Sequence, residues 1–411
     1  GLSYMTDASS AIPEATKSIR QALPECTILL GGAHPSAVGG AALEGTSADI
    51  AVEGEGEIVF ENILRALQEG GGFDEIPGIF RRLPDGGVTR NPGAAPLIAN
   101  LDDVPFLAYD LLDLPRYWSA TSVSPTPPPR KYAVLFTSRG CPYRCIFCHH
   151  IFGKEFRAQS PARIVAEMDY LESQYGVLEF DFFDDIFNLD RQRACQFAEE
   201  VCRRGRRRLS MVNGLRTDIL TQEVVDALTD AGMYACACAL DSGSERIQKL
   251  IRKNLNVDRF LHAVEMLTRR RVFTYGFTIL GFPTETGEEI QMTVDTVVRS
   301  RLHMAHFFKA TPYPNTELYD LVVKMLPEKI PALDFANHDI QYSPVVNLSA
   351  VSDDELLARI RKATRTFYGN PVRMYRILRA FPHPLRLVRY VPGAFRQAFS
   401  HTRGRYRAHT E

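Results

Sequence analysis

Six short apolar runs recur through the middle and later parts of this 411-residue chain, each followed by amphipathic, helix-like sequence, and this alternation constrains the fold more than any other feature. The runs fall at about 132–137, 179–183, 209–213, 234–240, 272–280 and 303–310. Helical segments lie at about 160–176, 190–204, 221–231, 244–271 in two pieces, and 286–301, the first opening with Ser160 and Pro161 at N-cap and first-turn positions. Apolar strand candidates alternating with helices are the grammar of a parallel α/β sheet. Six such units with right-handed crossovers predict an α/β chain with a partial (β/α)6 TIM-like barrel, whose chemistry gathers at the carboxyl ends of the strands.

The rest of the chain flanks that barrel, expected over 131–345. Residues 1–95 alternate helix and strand signals, with a helix near 10–22, the apolar run 26–32 and a second strand in 47–57, which is half of a Rossmann-like domain. Gly31 and Gly32 follow a strand there and would let a ligand approach the backbone. Residues 96–130 form a Pro-rich linker that includes Pro127, Pro128 and Pro129. From 346 onward the sequence reads as a helical basic region: residues 359–411 hold 13 Lys and Arg against one acidic residue, although the whole chain has a net charge of only -1. Such a tail suits the acidic body of its own chain or an anionic membrane surface; nucleic acid is the weaker fit. No run approaches a membrane span or a secretory signal, so a cytoplasmic protein is the expectation.

The eight cysteines are too sparse for a disulfide scaffold, and their spacing matters more than their number. Cys141, Cys145 and Cys148 stand in a C-x3-C-x2-C arrangement directly after the first barrel strand. Three thiolates this close can hold three corners of an iron–sulfur cube and leave one iron open. Zinc, recruiting His149 or His150 as a fourth ligand, is the alternative. Cys195 and Cys202 share a helix face, Cys236 and Cys238 a strand face, and both pairs read as core packing.

With Phe147 before its last cysteine, the SRGCPYRCIFCHH segment resembles the signature of the radical S-adenosylmethionine (SAM) enzymes, in particular their cobalamin-domain-containing class. The resemblance runs on through FDFFDDIFN, NGLRTDIL, ALDSGSERIQKLIRK, ILGFPTET and ATPYPNTELYD, covering about 130–345. It implies a 4Fe–4S cluster on the three cysteines and SAM on the open iron, cleaved by one electron to methionine and a 5'-deoxyadenosyl radical. It further assigns Asp241 and Ser242, where the family usually has Glu-Ser, to the SAM ribose, and Lys253 to the SAM carboxylate. Asp184 or its neighbour Asp185, only one of which would face the barrel mouth, would meet the SAM amino group or the substrate, Arg216 a carboxylate, and Gly281 and Pro283 the adenine side. LLGGAHPSA and DIAVEGEGEIVFENIL resemble the later half of a cobalamin-binding domain, so cobalamin is an implied cofactor, and the chain reads either as a fragment of a longer enzyme or as one that has lost the cofactor and keeps the remnant as a scaffold. Methyl transfer to, or cyclisation of, an apolar or polycyclic small molecule is the implied reaction, with a flavodoxin- or ferredoxin-type electron donor.

Overall fold

The computed structural model describes residues 1–120, 124, 130–333, 335 and 346–382. The N-terminal part is a five-stranded sheet in the order β1 (Leu2–Ser3), β2 (Leu29–Gly31), β3 (Ile50–Val52), β4 (Ile79–Arg82) and β5 (Val88–Arg90). The first three strands are parallel and the last two antiparallel. Helices α1 (Ile12–Ala22), α2 (Ala33–Val38) and α3 (Gly56–Glu69) complete this part. The sequence reading found β2 and β3 and missed the β4–β5 hairpin, whose strands are short and carry three arginines, too polar to register as apolar runs.

The linker is ordered where it is described. It contains the short helix α4 (Leu114–Ser119), and its Leu101 and Tyr109 are buried, the Tyr109 hydroxyl donating to Glu167 at 3.2 Å. Pro127, Pro128 and Pro129 lie outside the described residues.

The second sheet has the order β13-β12-β11-β10-β9-β6 and is parallel throughout. Its strands are β6 (Tyr132–Leu135), β9 (Glu179–Phe182), β10 (Arg208–Met211), β11 (Met233–Asp241), β12 (Phe273–Leu280) and β13 (Met304–Lys309), all within a few residues of expectation. Between β6 and β9 lies an unforeseen two-stranded ribbon, β7 (Ser138–Arg139) with β8 (Arg157–Ala158). Helices α5 (Pro161–Tyr175), α6 (Arg191–Arg204), α7 (Gln222–Ala231), α8 (Glu245–Leu250), α9 (Val257–Arg269) and α10 (Gly287–Arg299) connect the strands. Ser160 caps α5 through Arg163 N–H at 3.2 Å, and Thr286 with Glu289 forms a capping box on α10. Alternate residues such as Phe180, Phe182, Leu209, Cys236, Cys238 and Leu280 face this helical layer in one continuous core, so the intervening positions face the lumen.

After α11 (Glu317–Met325) the chain adds α12 (Asp353–Tyr368) and α13 (Pro371–Ala380). Leu356, Ile360 and Phe367 of α12 belong to the same core as the barrel helices, while Ile377 of α13 and Phe381 just beyond it pack under the strand starts on Phe273. The described part of the basic region is thus docked on its own chain. Arg373 is buried and donates to the carbonyls of Val298 at 2.6 Å and Ser300 at 3.3 Å, closing the carboxyl end of α10. Residues 383–411, which carry the remaining tail arginines, lie outside the described residues. No helix among the described residues is long and apolar enough to cross a membrane.

Candidate active site

The three cysteines occupy the loop between β7 and β8, so the ribbon closes the loop's base beside the carboxyl end of β6. Gly140 is fixed by that geometry: its φ is 82°, and a Cβ there would stand 2.1 Å from the carbonyl oxygen of Glu155. Further along, Ile146 donates to the carbonyl of Ile251 at 3.1 Å and accepts from Leu318 N–H at 2.8 Å, which ties the loop to the ends of α8 and α11. Phe147 packs on Phe282 with ring centroids 5.6 Å apart.

All three thiols are free; Cys145 is buried and Cys148 exposed. A hydrogen bond from Cys148 is the main influence holding the Cys145 thiol below its ordinary value; burial opposes it, and the cations of Lys253 and Arg216 assist. Cys148 is correspondingly raised by that same bond. Among the described residues, no three His, Cys, Asp or Glu side chains converge tightly enough to hold one metal ion. A cubane binds each cysteine at a separate iron, so thiols ringing a loop suit it better than they suit a mononuclear zinc site.

Opposite the loop, the end of β11 supplies Asp241, whose φ of 59° is unusual for a residue with a side chain. Asp241 pairs with Lys253, and Lys253 also donates to the Ala239 carbonyl at 2.7 Å. The two groups assigned separately to SAM therefore hold each other. Arg216 lies 3.5 Å above the Tyr143 ring, pairs with Asp218 at 2.9 Å and donates to the Lys253 carbonyl at 2.8 Å. A guanidinium, an ammonium and the cysteine loop thus share one corner of the barrel mouth.

Other expected positions are turned away. Asp184 is buried and accepts from the Thr137 hydroxyl at 2.8 Å and from Ser138, although its Oδ2 has no hydrogen-bond partner. Its neighbour Asp185 is the carboxylate beside the cysteines: it stands 3.7 Å from His149, accepts from the Gly140 backbone, and acts on Cys141. Adjacent residues of an extended chain face opposite ways, and that alternation was the only sequence signal for choosing between them. The Ser242 hydroxyl faces α10, 3.3 Å from Thr293 Oγ1, and accepts from Ser244 N–H. Pro283 is buried, and a Cβ on Gly281, where φ is 90°, would meet Leu356 at 2.8 Å; that turn is shaped by α12. In the N-terminal sheet a Cβ on Gly32 would strike Ser3 and Tyr4, whereas Gly31 borders open space. Of the other cysteines, Cys236 and Cys238 are buried as expected, but Cys195 is half-buried and Cys202 exposed.

Sequence reasoning missed Glu55. This carboxylate, at the turn into α3, is only 2% exposed and accepts from Arg139 at 2.9 Å, from Arg157 and from Ile98 N–H at 3.1 Å. The two arginines are cross-strand partners in the ribbon beneath the cysteine loop, so the N-terminal sheet grips the loop's base.

Residues 135–297 match the model of the radical SAM superfamily. An uncharacterized methyltransferase of Pyrococcus horikoshii is 31% identical over 79% of this chain and 68% of its own length. The cytidylyl-2-hydroxyethylphosphonate methyltransferase of Streptomyces wedmorensis is 29% identical over 72% of this chain, which spans 60% of that protein. Among solved structures, the radical SAM methyltransferase TsrM of Kitasatospora setae superposes with a TM-score of 0.67 at 21% identity, covering 77% of this chain and 61% of that one. The cobalamin-dependent SAM radical enzyme OxsB gives a TM-score of 0.62 at 17% identity, covering 90% of this chain and 52% of its own. These two likenesses bear on the fold, and in both the match extends beyond the barrel. The relationship to the Pyrococcus protein, together with the family match across the cysteine loop, is close enough to decide membership: the chain belongs to the radical SAM superfamily.

Proposed function

We propose that Cys141, Cys145 and Cys148 hold a 4Fe–4S cluster at the barrel mouth and that the chain cleaves SAM there as part of a cobalamin-dependent radical enzyme. The observation that carries this reading is the anchoring of three free thiols on a loop that faces the Arg216, Lys253 and Asp241 corner. When bound, the cluster supplies one electron to SAM, which yields methionine and a 5'-deoxyadenosyl radical. The protein's own part is positioning. Arg216 and Lys253 favour thiolate at Cys145 and offer cations to a carboxylate. Asp185, beside the cysteines, offers an acceptor to an ammonium. Phe147 and Phe282 cover the loop's inner side and keep water from the reacting centre.

The N-terminal sheet packs against this site through Glu55, and Gly31 leaves space at the end of β2 for the cobalamin carried by enzymes of this kind. The relatives' printed activities favour methyl transfer, with cyclisation the second reading because the anaerobic magnesium-protoporphyrin IX monomethyl ester cyclase of Rubrivivax gelatinosus is 26% identical over 90% of this chain. A low-potential donor of the flavodoxin or ferredoxin type and a cytoplasmic setting complete the proposal. Anaerobic reconstitution followed by metal and sulfide analysis tests it: about four irons and four acid-labile sulfides per chain support the cluster, whereas about one zinc and no sulfide overturn it.

A further inference from the structure

The inner face of β12 and β13 carries an aromatic patch that the SAM chemistry does not use. Phe277 and His306 are register partners on neighbouring strands, and Phe308 lies two residues beyond His306 on the same face. Their ring centroids are 5.9 Å apart for Phe277 and His306, 5.8 Å for Phe277 and Phe308, and 5.6 Å for His306 and Phe308, whose planes lie within 4° of parallel. All three rings are half-buried, while the intervening Thr278 and Phe307 are buried against the helical layer. On the other side of Phe277 the lumen-facing positions of β11 are Ala237 and Ala239. The half-exposed aromatic face therefore lies beside the small side chain of Ala239, whose carbonyl accepts from Lys253.

His306 gives the patch its chemistry. Burial lowers its pKa from the ordinary histidine value, so the ring is neutral at pH 7 and presents one donor and one acceptor. Among the described residues no hydrogen bond to either ring nitrogen is found. An imidazole grouped with two phenyl rings, its polar edge unspent, suits a ligand that is flat and carries a polar atom.

We propose that Phe277, His306 and Phe308 form the substrate platform of the barrel, and that the substrate presents a planar, conjugated, uncharged ring system with a hydrogen-bonding heteroatom. Binding of the ring does not depend on the cluster. The platform's role in catalysis rests on the radical reading above, because only that reading explains why a ring should be held below the cysteine loop.

The test uses the full chain without iron and two fluorinated probes followed by ¹⁹F line broadening: 6-fluoroquinoline, flat with one ring nitrogen, and 4,4-difluorocyclohexanol, polar but not flat. Saturable broadening of fluoroquinoline alone is expected. Phe308→Ala should weaken it about fivefold to tenfold through lost ring contact. His306→Phe, which retains a ring, should weaken it about fivefold through the lost hydrogen bond and guards against a folding defect in the first variant. Equal broadening of both probes, or affinities in both variants equal to wild type, would overturn the platform. SAM cleavage by reconstituted wild-type protein is measured in parallel. Cleavage without ring binding sinks the platform alone, and ring binding without cleavage sinks the radical reading on which its catalytic role rests.

Discussion

Glu55→Ala probes how the two parts of the molecule hold the cysteine loop. In the wild type one carboxylate, 2% exposed, serves two guanidinium groups, and the Arg139 and Arg157 side chains are themselves only 15% and 7% exposed. Removing one partner of a buried ion pair costs about 3–5 kcal/mol, because the other charge stays out of water. Both arginines keep something: Arg139 retains Glu57, and Arg157 retains the Ile98 carbonyl at 2.6 Å and that of Phe152 at 3.1 Å. The expected loss is therefore at the lower end, about 2–4 kcal/mol. Urea unfolding at pH 7 measures it, and the rate at which a disulfide reagent labels Cys148 in iron-free protein should rise because the loop base is freed. The pH dependence follows the same pair. Burial alone would raise the Glu55 carboxyl, but its bonds to Arg157 and Ile98 and the charge of Arg139 hold it below the ordinary glutamate value. Its contribution is therefore present above that value and lost as pH falls below it, and the wild-type advantage over the alanine variant should shrink in acid. A loss under about 0.5 kcal/mol with unchanged Cys148 labelling would refute the clasp.

Three further perturbations address the frame. Arg373→Ala strands the carbonyls at the end of α10 and should cost about 2–4 kcal/mol in urea unfolding; no change would mean that water replaces the guanidinium. Gly281→Ala forces a side chain into Leu356 at a φ of 90° and should cost about 1–3 kcal/mol, only partly recovered by Leu356→Ala. Burial lowers His303 to about 4, with the charges of Arg376, Arg373 and Arg301 adding to it. Folded protein stays neutral there while the unfolded chain takes up a proton, so stability should fall as pH drops from the ordinary histidine value towards 4, and a His303→Gln variant should show a flatter profile over that window.

How much of this was legible beforehand depended on the kind of signal. The six parallel strands were readable because each is a short run rich in apolar residues and the runs are separated by helices with ordinary caps, which is a periodic signal. The β4–β5 hairpin was not, because short strands with three arginines and exposed edges resemble loop. The cysteines were readable from spacing alone, whereas Asp184 and Asp185 differ only in which way a backbone turns. Asp241 and Lys253 were each assigned to a ligand; their mutual pairing depends on a positive φ at Asp241 and on the turn after α8. Glu55 is separated from Arg157 by 102 residues, so nothing local could announce that contact. The aromatic platform likewise depends on the register of two strands.

The most direct test of the central claim is the amount of 5'-deoxyadenosine formed from SAM by the anaerobically reconstituted, chemically reduced chain and by its Cys141→Ala, Cys145→Ala and Cys148→Ala variants. Wild-type protein should produce it, and each variant should lose the activity together with its cluster absorption, because three thiols leave none to spare. Full SAM cleavage by the Cys148→Ala protein would contradict the assignment of the cysteine loop as the cluster site.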